Sequence, residues 1–147
     1  MKFSTKVRYG LRAMIELACR HGQGPVQLGL VADHHQISAK YLHAVMQQLR
    51  IAGLVRTVRG AHGGFELSRD PSAISVLEVI EAIDGPVAVV DCVLNDCAFQ
   101  REVPCVAQEV WCEISTAIRD VIKCQTLADL AKKVHCPEHG VVQPPRP

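Results

Sequence analysis

The stretch 37–65 places a helix-forming run directly before two β-prone runs that flank a glycine-rich tip. Ser38 can cap the helix, because its hydroxyl can accept a hydrogen bond from an unpaired amide of the first turn. The apolar residues recur at helical spacing and define one buried face: Leu42, Val45, Met46 and Leu49. The other face carries hydrogen-bond donors, which are Lys40, His43, Gln47 and Arg50. The pattern predicts an amphipathic helix with a basic outer face, ended by Gly53.

The two β-prone runs, 54–59 and 65–67, enclose the segment GAHGG. Short strands around glycines predict a hairpin. A helix followed by such a hairpin is typical of a winged helix-turn-helix, whose helix enters a major groove while the wing lies on phosphates or in the minor groove. Arg59 at the base of the wing suits a narrow groove, where negative potential attracts guanidinium. An ordinary helix and hairpin in a small α+β domain is the alternative.

The residues before this stretch predict two more helices. Residues 4–21 begin with the potential cap Ser4 and carry one apolar face, and residues 28–35 form a short second helix. A tight turn at 36–37 then leads into the helix at Ser38, which completes a helix-turn-helix. Cys19 is expected to be a small packed thiol. His34 and His35 are expected on the surface near the groove, not as metal ligands.

The distribution of charge supports the same interpretation. The 147 residues carry a net charge of +1, but residues 1–69 contain ten Lys and Arg against three Asp and Glu, while residues 70–147 contain six against twelve. Positive charge confined to the segment with the helix and wing is the footprint expected for phosphate contacts. Early charges interrupt any signal peptide, and no apolar run is long enough to span a bilayer. We therefore expect a cytoplasmic protein that does not bind membranes.

Beyond the wing, the sequence predicts a supporting helix and then a dimerisation element. Ser75 and Glu78 form a capping box for a helix ending at Gly85. Periodicity fades over 86–104, which predicts an irregular loop, and a long helix follows Pro104. Its apolar face is too broad for one small domain to cover, which favours a two-fold dimer. Thr126 and Asp129 cap a last short helix.

The fold class is therefore mainly α with a small β component: a winged helix-turn-helix with a long C-terminal dimerisation helix. Four segments follow: the DNA-binding domain 1–85, the cysteine-bearing loop 86–104, the dimerisation and terminal helices 105–133, and a proline-rich tail 134–147, expected to be mobile.

Seven cysteines are many for this length, and structural disulfides are not expected in a cytosolic chain. Cys92, Cys97 and Cys105 are spaced C-x4-C-x7-C, which is unlike the paired spacing of a structural zinc site. On spacing alone, a soft-metal site and three unrelated thiols are about equally favoured. The tail cluster of His135, Cys136 and His139 is a weaker metal signal.

Several segments together resemble the winged-helix iron-sulfur regulators of the IscR, NsrR, RirA and CymR type. They are MKFSTKVRYGLRAMIELA, ISAKYL, LRIAGLVRTVRGAHGGFELSRD, ISVLEVIEAIDGP and the three loop cysteines. The resemblance covers residues 1–133 and is nearest to the IscR kind. It implies a homodimeric bacterial regulator, with repression as the expected action, that binds a palindromic operator in double-stranded DNA according to the state of its cluster.

The same resemblance implies an iron-sulfur cluster held by Cys92, Cys97 and Cys105, a 2Fe-2S cluster first and 4Fe-4S as the alternative. The fourth ligand differs from the family pattern. IscR-type members have a histidine where this chain has Gln108, and NsrR-type members have an acid where it has Arg8. Gln108 and Glu109 follow Cys105 by three and four residues, so both lie on its helical face and are candidates.

The expected DNA contacts are Ser38, Lys40, Tyr41 and His43 from the helix and Arg59, Gly60 and His62 from the wing. Two alternatives remain open. One is a DNA-binding regulator without a cluster, responding to thiol chemistry or to a partner protein as in the CymR type. The other is a redox or metal-trafficking protein that does not bind DNA. An enzyme is not expected, because no nucleophile, base and orienting group converge in one motif.

Overall fold

A computed structural model describes residues 2–94 and 105–134, which form seven α-helices, one 3-10 turn and a two-stranded antiparallel sheet. In chain order the elements are α1 (Thr5–Cys19), α2 (Leu28–His35), α3 (Ala39–Ile51), β1 (Val55–Val58), β2 (Gly64–Leu67), the 3-10 turn (Pro71–Ala73), α4 (Val76–Asp84), α5 (Asp91–Leu94), α6 (Val106–Lys123) and α7 (Leu127–Lys133). The predicted mainly α winged helix-turn-helix is confirmed.

Local capping chemistry explains where most of these helices begin. The Ser4 hydroxyl accepts a hydrogen bond from the Val7 amide at 3.2 Å, and Ser38 accepts one from the Tyr41 amide at 3.5 Å. Ser75 with Glu78 forms a reciprocal capping box before α4. A second box, Thr126 with Asp129, precedes α7. Each cap satisfies amides that the helix itself leaves unpaired, and all four were predicted.

The core lies where α1 crosses α3 and α4. Its fully buried side chains include Met14 of α1, Val79 of α4, and Leu42, Met46 and Leu49 of α3. The apolar face of α3 is therefore turned inwards as predicted, and its polar face is left at the surface. This packing fixes the orientation of α3 relative to the rest of the domain.

The hairpin is held to the helix-turn-helix by a third short piece of extended chain. β1 and β2 pair with Val55 opposite Leu67 and Val58 opposite Gly64. Val26, just before α2, bridges Phe65 through two backbone hydrogen bonds of 2.8 and 2.9 Å. A side chain at Gly64 would collide with the Val26 carbonyl, so the bridge requires glycine there.

The C-terminal helices pack on different elements: α6 on α4, and α7 on α1. Ser115 is the buried residue of α6, and its hydroxyl accepts a hydrogen bond from the Val89 amide at 3.1 Å. Leu127 of α7 is fully buried against the core, where α7 packs on α1. The apolar face of α6 is exposed in the single chain, including Val106, Val110, Trp111, Ile114 and Val121.

Two local expectations are wrong. The loop predicted over 86–104 contains the short helix α5, because Asp91 begins a turn whose Val93 amide bonds the Val90 carbonyl at 3.2 Å. Cys19 is disulfide-bonded, not a free packed thiol. The predictions for Cys97, for residues 95–104 and for the tail from 135 onwards lie outside the described residues. Within the described ranges, no helix is long and apolar enough to cross a membrane.

Candidate nucleic-acid interface and cysteine segment

The outer face of α3 presents most of the predicted contact residues. Ser38, Lys40 and His43 are exposed. Tyr41 is half-buried, and its ring meets that of Tyr9 edge-on with the centroids 6.1 Å apart. Tyr41 therefore also ties α3 to α1, which is a packing role that the sequence did not indicate.

The wing projects beside this helix and presents its own cation. Arg59, Gly60 and His62 are all exposed. Arg56 pairs with Glu66 across the hairpin at 2.8 Å, whereas Arg59 has no ion pair within the described part of the chain. The backbone at Gly60 has φ of 120°, a conformation that side chains disfavour. The wing thus offers an uncompensated guanidinium beside a glycine that allows close approach.

Helix and wing are also in contact with each other. The His43 ring lies edge-on to Phe65 of β2, with the centroids 6.2 Å apart, and its Nε2 lies 3.3 Å from the Gln47 amide nitrogen. Because Phe65 is buried and bridged to Val26, the position of His43 is coupled to the wing. The two predicted DNA-contacting elements therefore form one surface.

Two further arginines lie next to that surface. The Arg8 and Arg12 guanidinium carbons lie 5.3 and 5.9 Å from the centroid of the Tyr9 ring, the distance of a cation–π contact. Since Tyr9 touches Tyr41, the contact places both cations near the start of α3. Arg8 and Arg12 are four residues apart, so the sequence already placed them on one face of α1.

The cysteine segment lies where α5 meets α6. The Gln108 side-chain amide donates to the Cys92 carbonyl at 3.4 Å. Cys92 and Cys105 are free and half-buried. A cavity of about 490 Å³ is lined by Cys105, Gln108, Glu109, Cys112 and Glu113. Cys112 is an addition to the predicted set, although seven residues after Cys105 is one heptad along the same helical face.

This donor set fits an iron-sulfur group in its chemistry. Free thiols are the usual ligands of such clusters, and α5 brings Cys92 to the side chain that follows Cys105 by one helical turn. Gln108, one candidate fourth ligand, is already bonded to the Cys92 backbone, and Glu109 lines the adjoining cavity. Cys97 lies outside the described residues.

A second cluster of polar side chains joins α1 to the end of α2. Glu16 is 9% exposed, and its Oε1 lies 3.1 Å from an Arg20 guanidinium nitrogen. Its Oε2 lies 3.1 Å from His34 Nδ1 and 3.2 Å from His35 Nε2. Burial lowers the pKa of His35, although the Glu16 carboxylate opposes this shift. His34 and His35 are thus half-buried partners of an acid, not the free surface residues that were expected.

A helix-turn-helix with an exposed basic face, a wing with an uncompensated arginine and a separate thiol-bearing segment define a DNA-binding transcriptional regulator. The family comparison agrees. Residues 3–133 match the Rrf2 family model, described as an iron-dependent transcriptional regulator. The chain belongs to the Rrf2 family of winged-helix transcriptional regulators, and it is therefore not an enzyme.

Relatives of two kinds are similar to this chain. The HTH-type transcriptional regulator CymR of Bacillus subtilis is 44% identical over 131 residues, which cover 89% of this chain and 90% of the relative. The HTH-type transcriptional regulator IscR of Vibrio cholerae is 37% identical over 131 residues, covering 88% and 75%.

The similar solved structures also include both a CymR and an IscR protein. The structure of B. subtilis CymR, the global cysteine regulator, gives a TM-score of 0.79 at 40% identity and covers 91% of this chain and 98% of its own. The T. potens IscR structure gives a TM-score of 0.75 at 36% identity, covering 90% and 88%. The expected IscR and CymR type is thereby confirmed, and DNA binding is supported for the family.

Proposed function

We propose that this chain is a cytoplasmic, homodimeric repressor that senses iron-sulfur cluster supply through a cluster bound by Cys92, Cys97 and Cys105. When bound, the cluster would supply an oxygen- and iron-sensitive link between these cysteines. The observation that supports the proposal is the hydrogen bond from the Gln108 side chain, near the start of α6, to the Cys92 carbonyl. The 2Fe-2S form is the proposed one, with Gln108 or Glu109 completing the ligand set.

A continuous set of contacts connects the cysteine segment to the DNA-binding face. α5 packs on α6, and α6 packs on α4 with an ion pair between Arg119 and Glu81. Ser115 of α6 also accepts a hydrogen bond from the Val89 amide, in the segment between α4 and α5. α4 in turn packs on α1 and α3. A change at the start of α6 could therefore reach α3 through packed helices.

The proposed dimer interface lies on α6, next to the cysteine segment. Val110, Ile114 and Val121 are 50%, 38% and 63% exposed on a helix whose other face is already packed on α4. Burying this stripe against the same stripe of a second copy would remove apolar surface from water. Two DNA-binding domains held together in this way could fit half-sites about 34 Å apart on a palindromic operator. Their relative position is what the cluster would control.

For the DNA contacts we propose Ser38, Lys40, Tyr41 and His43 in the major groove, and a wing of Arg59, Gly60 and His62 on the adjacent backbone or minor groove. Exposure supports six of the seven. Tyr41 is half-buried against Tyr9, so only its outer edge is available for contact. The absence of an ion pair on Arg59 within the described residues leaves its full charge for DNA.

The first experiment is anaerobic purification or reconstitution, followed by visible absorbance and iron and sulfide analysis. The wild-type protein should be coloured and contain iron and sulfide in equal amounts. Cys92→Ala, Cys97→Ala and Cys105→Ala should each lose most of both, because a cluster needs every thiolate ligand.

Cys124→Ala is the matched control, because Cys124 is free, exposed and at the far end of α6. This variant should keep the wild-type iron and sulfide content. Colourless, iron-free wild-type protein, or equal iron loss in the control, would contradict the cluster proposal.

The relative with 44% identity favours a second candidate, a cluster-free regulator of the CymR type that responds to thiol chemistry or to a partner protein. In that case the anaerobic protein would lack iron, and DNA affinity would respond to a thiol oxidant or to the partner. The two candidates share the DNA-binding surface and differ in the chemistry at the cysteines.

A further inference from the structure

The cluster of Glu16, His34 and His35 has the composition of a metal site. One carboxylate oxygen and two imidazole nitrogens all lie within 4.8 Å of one another. Glu16 comes from the middle of α1, and the two histidines end α2, so the donors are brought together by the fold. We propose that these three side chains bind a divalent transition-metal ion of the zinc type, separately from the cysteine segment.

The distances suit such an ion. The His34 Nδ1 and His35 Nε2 atoms lie 3.1 and 3.2 Å from the same oxygen, Oε2 of Glu16. Around a tetrahedral ion with bonds of about 2.0–2.1 Å, neighbouring donor atoms are roughly 3.3 Å apart. The carboxylate oxygen and each imidazole nitrogen therefore already have nearly the separation that two ligands of one ion require, and the two nitrogens lie within 4.8 Å of each other.

An unsatisfied nitrogen points to the same conclusion. His35 Nε2 is buried, and its approach to Glu16 does not have hydrogen-bond geometry, so it lacks a hydrogen-bond partner among the described residues. A buried polar atom without a partner is costly, and a metal ion would satisfy it. The Glu16 carboxylate is also oriented for metal binding, because Arg20 pairs with its Oε1 atom while Oε2 lies against the histidines. Support of a ligand by an outer hydrogen bond is usual in metal sites.

There is room for the remaining coordination position. A cavity of about 160 Å³ adjoins the cluster and is lined by Glu16, His34 and His35 together with Cys19 and Arg20. Cys19 is disulfide-bonded and therefore not a ligand. Three protein ligands with an open fourth position resemble a zinc site that keeps a water or accepts a further ligand. The bound ion would tie α2, the first helix of the helix-turn-helix, to α1.

The test uses the full-length protein with Zn²⁺ for calorimetry and Co²⁺ for absorbance. It is run on wild type and on a Cys92→Ala/Cys105→Ala background, so that its outcome is independent of the cluster proposal. We expect one saturable site in both, and no thiolate-to-metal charge-transfer band from this site on the Cys92→Ala/Cys105→Ala background. Zn²⁺ at a hundred times its Kd should raise Tm by about 5–10 °C.

His35→Gln and Glu16→Gln should each weaken Zn²⁺ binding at least tenfold and abolish the rise in Tm. His34→Gln is the second ligand variant in case Glu16→Gln fails to fold, since the His34 side chain is 31% exposed. His21→Gln, which removes an exposed histidine outside the cluster, should bind as the wild type does. No saturable site on the Cys92→Ala/Cys105→Ala background, or equal affinity in His35→Gln and His21→Gln, would overturn the proposal.

Discussion

Replacing Gly10 by alanine tests how tightly the position of α3 is determined by its packing. Gly10 lies on α1, facing Ile83 of α4 and Val45 of α3. A Cβ at this position would lie under 3.0 Å from Ile83 Cδ1 and 3.0 Å from Val45 Cγ1. Alanine gains up to about 1 kcal/mol in helix propensity, whereas overpacking a core costs about 1–3 kcal/mol. We expect Gly10→Ala to lower the free energy of unfolding by about 1–2 kcal/mol.

The closest contact is with one atom, Ile83 Cδ1, so its removal can be tested directly. Ile83→Val deletes that Cδ1 and alone should cost about 0.5–1.5 kcal/mol. In the double variant, the new methyl group occupies the space that Cδ1 leaves. The two changes should therefore couple favourably by about 1–2 kcal/mol in a double-mutant cycle. The assay is urea unfolding by circular dichroism at one fixed protein concentration, because the proposed dimer would make stability concentration-dependent.

Ile80→Val supplies the matched control, since Ile80 is buried on the same helix but is not among the nearest neighbours of a Cβ at Gly10. Its effect and that of Gly10→Ala should add to within about 0.5 kcal/mol. Equal coupling in both cycles, or additivity of Gly10→Ala with Ile83→Val, would refute this account of the contact between α1, α3 and α4.

Three further predictions concern DNA, the dimer and pH. Arg59→Ala should weaken operator binding by about 1–3 kcal/mol in a gel-shift titration, whereas Lys123→Ala, an exposed change at the end of α6, should have little effect. Val110→Glu should shift the protein to monomers in analytical ultracentrifugation, because it places a charge in the proposed dimer face; an unchanged dimer would place the interface elsewhere. Hydrogen bonds from the Thr126 hydroxyl and amide lower the pKa of Asp129. The Asp129 carboxylate therefore stabilises the fold fully above its unfolded pKa of about 3.9. This stabilisation is lost as the pH falls through the lower pKa of the folded state. The stability difference between wild type and Asp129→Asn should therefore shrink as pH falls below about 4, and urea midpoints at several pH values would measure it; a constant difference would contradict the assignment.

The sequence predicted the elements whose signals are local. Ser4, Ser38, Ser75 and Thr126 each cap the helix expected of them, because the hydroxyl and its amide lie within three residues. The wing was also predicted correctly from its glycines. The sequence did not show that a side chain at Gly64 would collide with the Val26 carbonyl. That contact joins residues far apart in the chain.

Tertiary contacts account for what was missed. Glu16 is an acidic residue on the inner side of α1, and only the approach of α2 reveals that its partners are His34 and His35. In the same way, the sequence showed a cap for α7 but not that Leu127 would be buried against α1. Periodicity describes one helix at a time, whereas these features depend on which helices meet.

The most direct measurement of the sensor proposal is the operator affinity of one anaerobic preparation before and after its cluster is removed. Wild-type protein and Cys124→Ala should both change their Kd by roughly 5–150-fold, the usual range of coupling between two sites. Cys105→Ala should bind with one affinity throughout. If the wild-type Kd is the same with and without the cluster, the cysteines do not control DNA binding, and the central claim is wrong.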